Sequence, residues 1–81
     1  MKTKEIQEHN KERLQAVTAF LREYRISNGY SQMEISETAN LSRNSIVRME
    51  SKRPENINLL TVFAVCDALS LDVNQVFFGI Q

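Results

Sequence analysis

The chain has 81 residues, 42% of them hydrophobic, with ten Lys and Arg balancing ten Asp and Glu. That length allows one domain with one small core, and the chain lacks the ~18–20-residue apolar run of a membrane span and the charged-then-apolar opening of a secretory leader. A single cysteine, Cys66, and a single histidine, His9, offer no internal disulfide, no zinc set and no cysteine–histidine or serine–histidine–aspartate constellation. The expectation is a cytoplasmic, non-enzymatic protein without metal or cofactor.

The elements follow in chain order. Leu14, Val17, Leu21 and Tyr24, with Phe20 beside them, keep the three-four-seven spacing of a buried helical stripe. This predicts a first helix over about 10–28, ending where Asn28-Gly29 permits a left-handed residue. The polar stretch from Lys2 to Arg13 either extends that helix or forms a frayed arm. Ser31 and Glu34 have the spacing of a capping box, with Tyr30 and Ile35 as the hydrophobic staple across it, so a second helix is expected over 31–39. Leu41, Ser42 and Ile46 repeat the cap and staple for a third, 42–51. Asn58 between Ile57 and Val62 starts a fourth, 58–69. Asp72 with Gln75, stapled by Leu71 and Val76, reads as a second capping box for a fifth, 73–79.

Only Ala39, Asn40 and Leu41 separate the second and third helices, and Asn tolerates a positive φ better than other non-glycine residues. So short a turn makes two helices cross steeply, as in a helix-turn-helix. Ile35, Ala39, Leu41, Ile46 and Met49 then face inward. Arg43, Asn44, Val47 and Arg48 are left together on the outer face of the third helix. Arg can bond guanine O6 and N7, Asn can bond adenine N6 and N7, and an aliphatic side chain packs on a thymine methyl, each good pair being worth about 1–3 kcal/mol of discrimination.

Charge is unevenly spread. Residues 1–53 hold all ten cations against seven Glu, +3, whereas 54–81 hold Glu55, Asp67 and Asp72 and no cation, −3. Such polarity can orient a protein on a polyanion. Cys66 reads as a core residue, His9 as a solvated one, Met49 as core and Met33 as rim. In the tail, Phe77, Phe78 and Ile80 exceed what so small a domain covers, and they suggest a symmetric dimer contact.

The stretch "LREYRISNGYSQMEISETANLSRNSIVRME", followed by "LLTVFAVCDALSLDVNQVF", resembles the helix-turn-helix domain of the lambda-repressor and Cro type, the Xre family, over residues 21–77. The resemblance implies an all-α, five-helix fold with residues 1–20 as an N-terminal extension and 78–81 as an apolar tail. It implies that Arg43, Asn44, Val47 and Arg48 face base edges, and that Gln32 binds a phosphate or props a neighbouring base contact. Ser42, Ser45, Lys52 and Arg53 would lie near the DNA backbone, and Arg25 would pair with Glu50. Asn40 and Lys52 depart from the glycines usual at their positions, so the loop 51–57, stiffened by Pro54, is expected to take its own shape. The expected partner is double-stranded DNA, an inverted-repeat operator bound by a homodimer that represses by occupancy. The alternative is an antitoxin-like module that binds a protein partner through residues 1–20 or the apolar tail.

Overall fold

A computed structural model describes residues 2–52 and 57–79, for Phe78 the backbone only. It contains α1 (Thr3–Ser27), α2 (Gln32–Ala39), α3 (Arg43–Met49), α4 (Leu59–Ala68) and α5 (Val73–Gly79), and no strand among the described residues. The helical caps explain most of these boundaries. Ser31 Oγ accepts from the Glu34 N–H, while Glu34 Oε1 accepts from the Ser31 N–H, both at 3.0 Å. Ser42 Oγ accepts from the Ser45 N–H at 3.2 Å, and Asn58 Oδ1 from the Leu60 N–H at 2.8 Å. Each bond satisfies one of the donors that a helix start leaves free.

Two helix boundaries or caps differ from the expectation, and one alternative is decided. α1 begins at Thr3, so the stretch up to Arg13 extends the helix instead of fraying. Its first turns are rich in Lys, Glu and Gln, which favour helix without an apolar stripe to signal it, and Glu5 accepts from the Lys2 N–H at 3.4 Å. α3 stops at Met49 rather than at residue 51, with Glu50 as its C-cap. At α5, Asp72 Oδ1 accepts from the Asn74 N–H at 2.9 Å, and Gln75 makes no return bond among those described, so Asp72 caps alone.

The helix ends use left-handed residues. Gly29 has φ 76°, and the Tyr30 N–H reaches back to the Arg25 carbonyl at 3.1 Å. Asn40, at φ 56° and ψ 45°, closes α2, with the Leu41 N–H on the Ser36 carbonyl at 2.8 Å. Ser70 does the same after α4 at φ 58°, with the Leu71 N–H on the Cys66 carbonyl at 2.8 Å. These six-to-one bonds satisfy carbonyls that the helices leave open.

The core lies where α1, α2, α3, α4 and α5 converge. Val17, Leu21, Ile35, Ile46, Met49, Val62, Val65, Cys66, Leu69 and Val76 are buried, and Tyr24, Leu41, Ile57 and Leu71 pack partly buried against them. Phe20 departs from the predicted stripe. It is 38% exposed, with its ring 6.1 Å from that of Tyr24, and Thr18 on the opposite flank is buried in its place. Tyr30 also stays largely exposed while Ile35 beneath it is buried. Beyond the core, every residue from Lys2 to Arg13 is exposed, so the first half of α1 projects as a bare helical arm.

Candidate nucleic-acid interface

The α2–α3 turn fixes the site. Asn40 in the left-handed region reverses the chain within three residues, and Ser42 starts α3 immediately. Ile46 and Met49, both fully buried, pin one side of α3 to the core. Arg43, Asn44, Val47 and Arg48 all lie on its exposed side. The structure therefore brings these four together, on a helix whose first turn has no acidic residue. Two cations, an amide and a valine that is 42% exposed form a surface able to donate hydrogen bonds and to make one apolar contact.

A three-helix polar cluster stands behind this surface. The Arg25 guanidinium, in the last turn of α1, donates through Nε to Glu50 Oε2 at 2.7 Å and through a terminal nitrogen to Glu50 Oε1 at 2.8 Å. Its other terminal nitrogen donates to the Tyr30 carbonyl at 2.6 Å. The side chains of Arg25 and Glu50 are only 11% and 4% exposed. The bidentate bond to Glu50 raises the pKa of Arg25 above its ordinary value, against the opposing effect of burial. Gln32, the first residue of α2, donates its amide to Glu50 Oε1 at 3.1 Å. One carboxylate at the end of α3 is thus held by α1 and by α2.

Gln32 keeps one amide hydrogen and its carbonyl oxygen for another partner. Ser42 and Ser45 bond to each other through their hydroxyls at 2.9 Å, with Ser42 exposed and Ser45 half-buried. Lys52 is exposed, and its carbonyl accepts from the Gln15 amide of α1 at 3.0 Å. Arg53 lies outside the described residues. The Gln32–Glu50 and Gln15–Lys52 bonds escaped sequence reasoning, because each joins positions 18 and 37 residues apart with no periodic signal.

The tail residues divide differently. Val76 supplies the buried side chain of α5, and Phe77 is 41% exposed. The Phe78 side chain and Ile80 lie outside the described residues. Cys66 is buried, and the loss of solvent around it raises its thiol pKa. Among the described residues no group of three or more His, Cys, Asp or Glu could hold a metal, and no helix is long and apolar enough to cross a membrane.

No curated protein and no solved structure matches the chain significantly. The model of the helix-turn-helix family, however, matches residues 21–76, from the core half of α1 to the buried Val76 of α5. With more than half of the chain matched, and the tight α2–α3 turn at its centre, the protein belongs to the helix-turn-helix family of Xre and lambda-repressor type, a family of DNA-binding regulators.

Proposed function

We propose that this protein reads a specific sequence of double-stranded DNA by placing α3 in the major groove, and that it represses transcription by occupying its operator. Arg43, Asn44, Val47 and Arg48 read base edges in this scheme. Gln32, Ser42, Ser45, Lys52 and Arg53 position the chain on the phosphate backbone. Phosphate contacts fix register and base contacts select sequence, so the two sets have separable effects. The observation that carries the reading is the division of α3 into a fully buried side, Ile46 and Met49, and an exposed side holding all four base-reading candidates. A side chain can discriminate bases only if its helix does not shift, and burial of the opposite side limits that shift.

The protein acts as a homodimer on an inverted repeat, with the apolar tail, Phe77, Phe78 and Ile80, as its contact. Two-fold pairing sets two recognition helices one turn of DNA apart, about 34 Å. A net charge of zero means few phosphate contacts and a shallow salt dependence compared with a strongly basic reader.

The test is selection of bound duplexes from a random pool at about 150 mM salt, with wild type beside Arg43→Ala. An enriched inverted repeat whose guanine preference relaxes in the variant by about 1–3 kcal/mol is the expected result. Failure to enrich any site would refute the reading and make the helix-turn-helix a scaffold for a protein partner.

A further inference from the structure

Arg13 stands beside an apolar groove rather than a carboxylate. The groove, of about 700 Å³, runs between α1 and the α4–α5 side of the domain. Leu14, Val17 and Val62 line it with Leu59 and Phe77, and His9 and Arg13 lie on its α1 wall. Val17 and Val62 are 6% and 1% exposed, whereas Leu59 is 54% and Phe77 41%. The valines therefore make a floor continuous with the core, and Leu59 and Phe77 make lips that stay in water. Clefts that take small molecules commonly enclose about 300–1,000 Å³, with mostly apolar walls and a few placed polar groups.

The polar groups of this groove are gathered at one end. His9, Arg13 and Val17 follow at four-residue steps, so they form one stripe of α1 about 12 Å long. Val17 is its buried end, and its exposed end carries the imidazole and the guanidinium. The guanidinium is always charged and offers five N–H donors in a planar fork that matches a carboxylate. The imidazole donates through at least one ring N–H in either protonation state. Among the described residues no carboxylate lines the groove, and neither side chain forms an ion pair. Glu12, next to Arg13 in the chain, is turned about 100° away round the helix. The groove is thus apolar at its floor and donates hydrogen bonds at its mouth. No described residue of α2 or α3 lines it, so an occupant leaves the exposed face of α3 clear.

We propose that the groove binds a medium-chain fatty carboxylate. The alkyl chain lies along Leu14, Val17 and Val62 between the lips of Leu59 and Phe77. The carboxylate accepts from the Arg13 guanidinium at the mouth, with His9 as the second donor. Each part of this occupant answers a feature of the groove. A cationic head group would be repelled by Arg13, an uncharged one would leave the fork without its match, and a short anion would leave the apolar walls in water. The distance of about 12 Å from mouth to floor suits an extended chain such as that of decanoate. Low-polarity walls beside Arg13 strengthen its attraction for the carboxylate relative to open water.

Titration of the full chain with decanoate, followed through the backbone amide resonances, tests the proposal, with decanol and decylamine as head-group controls. The expected result is a saturable shift centred on Arg13, Val17, Leu59 and Val62, with Kd of about 100 μM or tighter. Decanol and decylamine should bind at least about tenfold more weakly. Arg13→Gln should weaken decanoate about five- to tenfold and leave decanol unchanged, whereas Leu59→Gln should weaken both. Both positions are exposed, so unmoved resonances elsewhere show that the variants fold. Absence of a saturable shift up to about 200 μM decanoate overturns the proposal. Equal binding of decanol also overturns it, because Arg13 and His9 then do not select the head group. So does binding that neither substitution weakens, because the ligand then sits elsewhere. No DNA is present in the measurement, so its failure bears on the groove and leaves the reading of α3 untouched.

Discussion

Replacing Arg25 with alanine tests the cluster on which the orientation of α3 depends. The guanidinium makes three hydrogen bonds of 2.6–2.8 Å, two to Glu50 and one to the Tyr30 carbonyl. After the substitution Glu50, only 4% exposed, keeps the Gln32 amide at 3.1 Å and no cation among the described residues. Truncating one partner of such a pair typically costs about 3–5 kcal/mol, chiefly because a charge is left buried without its counterion. The Gln32 bond and the edge position of the cluster favour the lower end, about 3 kcal/mol. In a domain of this size each kcal/mol moves Tm by about 4–8 °C, so thermal unfolding followed by circular dichroism should show a fall of roughly 12–24 °C. A fall below about 2 °C would refute the reasoning, because a pair costing so little to break is solvated. Removing both charges, as Arg25→Met with Glu50→Met, should cost much less than the two single changes together, since a buried pair replaced by well-packed apolar groups is often close to neutral.

Other predictions address single elements. Glu34 has its pKa lowered first by the Ser31 N–H and then by the Ser31 hydroxyl. Its stabilisation is thus complete above the unfolded carboxylate value of about 4.3 and is lost as pH falls through the lower folded value. Melting curves from neutral to acid pH should converge for wild type and Glu34→Gln, and parallel curves would contradict the capping box. Ser70→Gly relieves a left-handed residue at φ 58°; the expected gain is about 0.5–1 kcal/mol, and a loss of stability on urea unfolding would mean that the serine side chain contributes more than its backbone strain costs. Cys66 should react with Ellman's reagent only on unfolding, because burial both shields the thiol and raises its pKa. Stoichiometric labelling of the native protein within seconds would show that α4 opens easily.

What could be read in the sequence was local. Ser31, Ser42 and Asn58 announce helix starts because a short side chain with an acceptor satisfies a helix donor wherever it stands before an apolar run. Asn40 announces the turn for a similarly local reason. Where no local cue exists, reading stopped. The arm before Leu14 has helix-favouring residues but no apolar period, so its start was invisible. Ser70 takes a left-handed conformation that its residue type does not advertise. Phe20 is apolar and correctly spaced, yet α1 is rotated so that Thr18 is buried and Phe20 faces outward.

The candidate site divides in the same way. The exposed face of α3 follows from helical period alone, since burying Ile46 and Met49 leaves Arg43, Asn44, Val47 and Arg48 on the other side. Arg25 and Glu50, 25 residues apart, have no spacing that predicts contact, and their pairing was expected only through the family resemblance. The third member, Gln32, came from the folded chain. It changes the physical account of α3, which has seven residues and would not persist alone in water. Two fully buried apolar side chains hold the helix down, and Glu50, bonded to α1 through Arg25 and to α2 through Gln32, fixes its far end. The exposed face of α3 therefore draws its rigidity from residues outside that face: buried Ile46 and Met49, and Glu50 held by Arg25 and Gln32. Loss of that cluster should weaken every sequence alike, whereas loss of Arg43 should change which sequence is preferred.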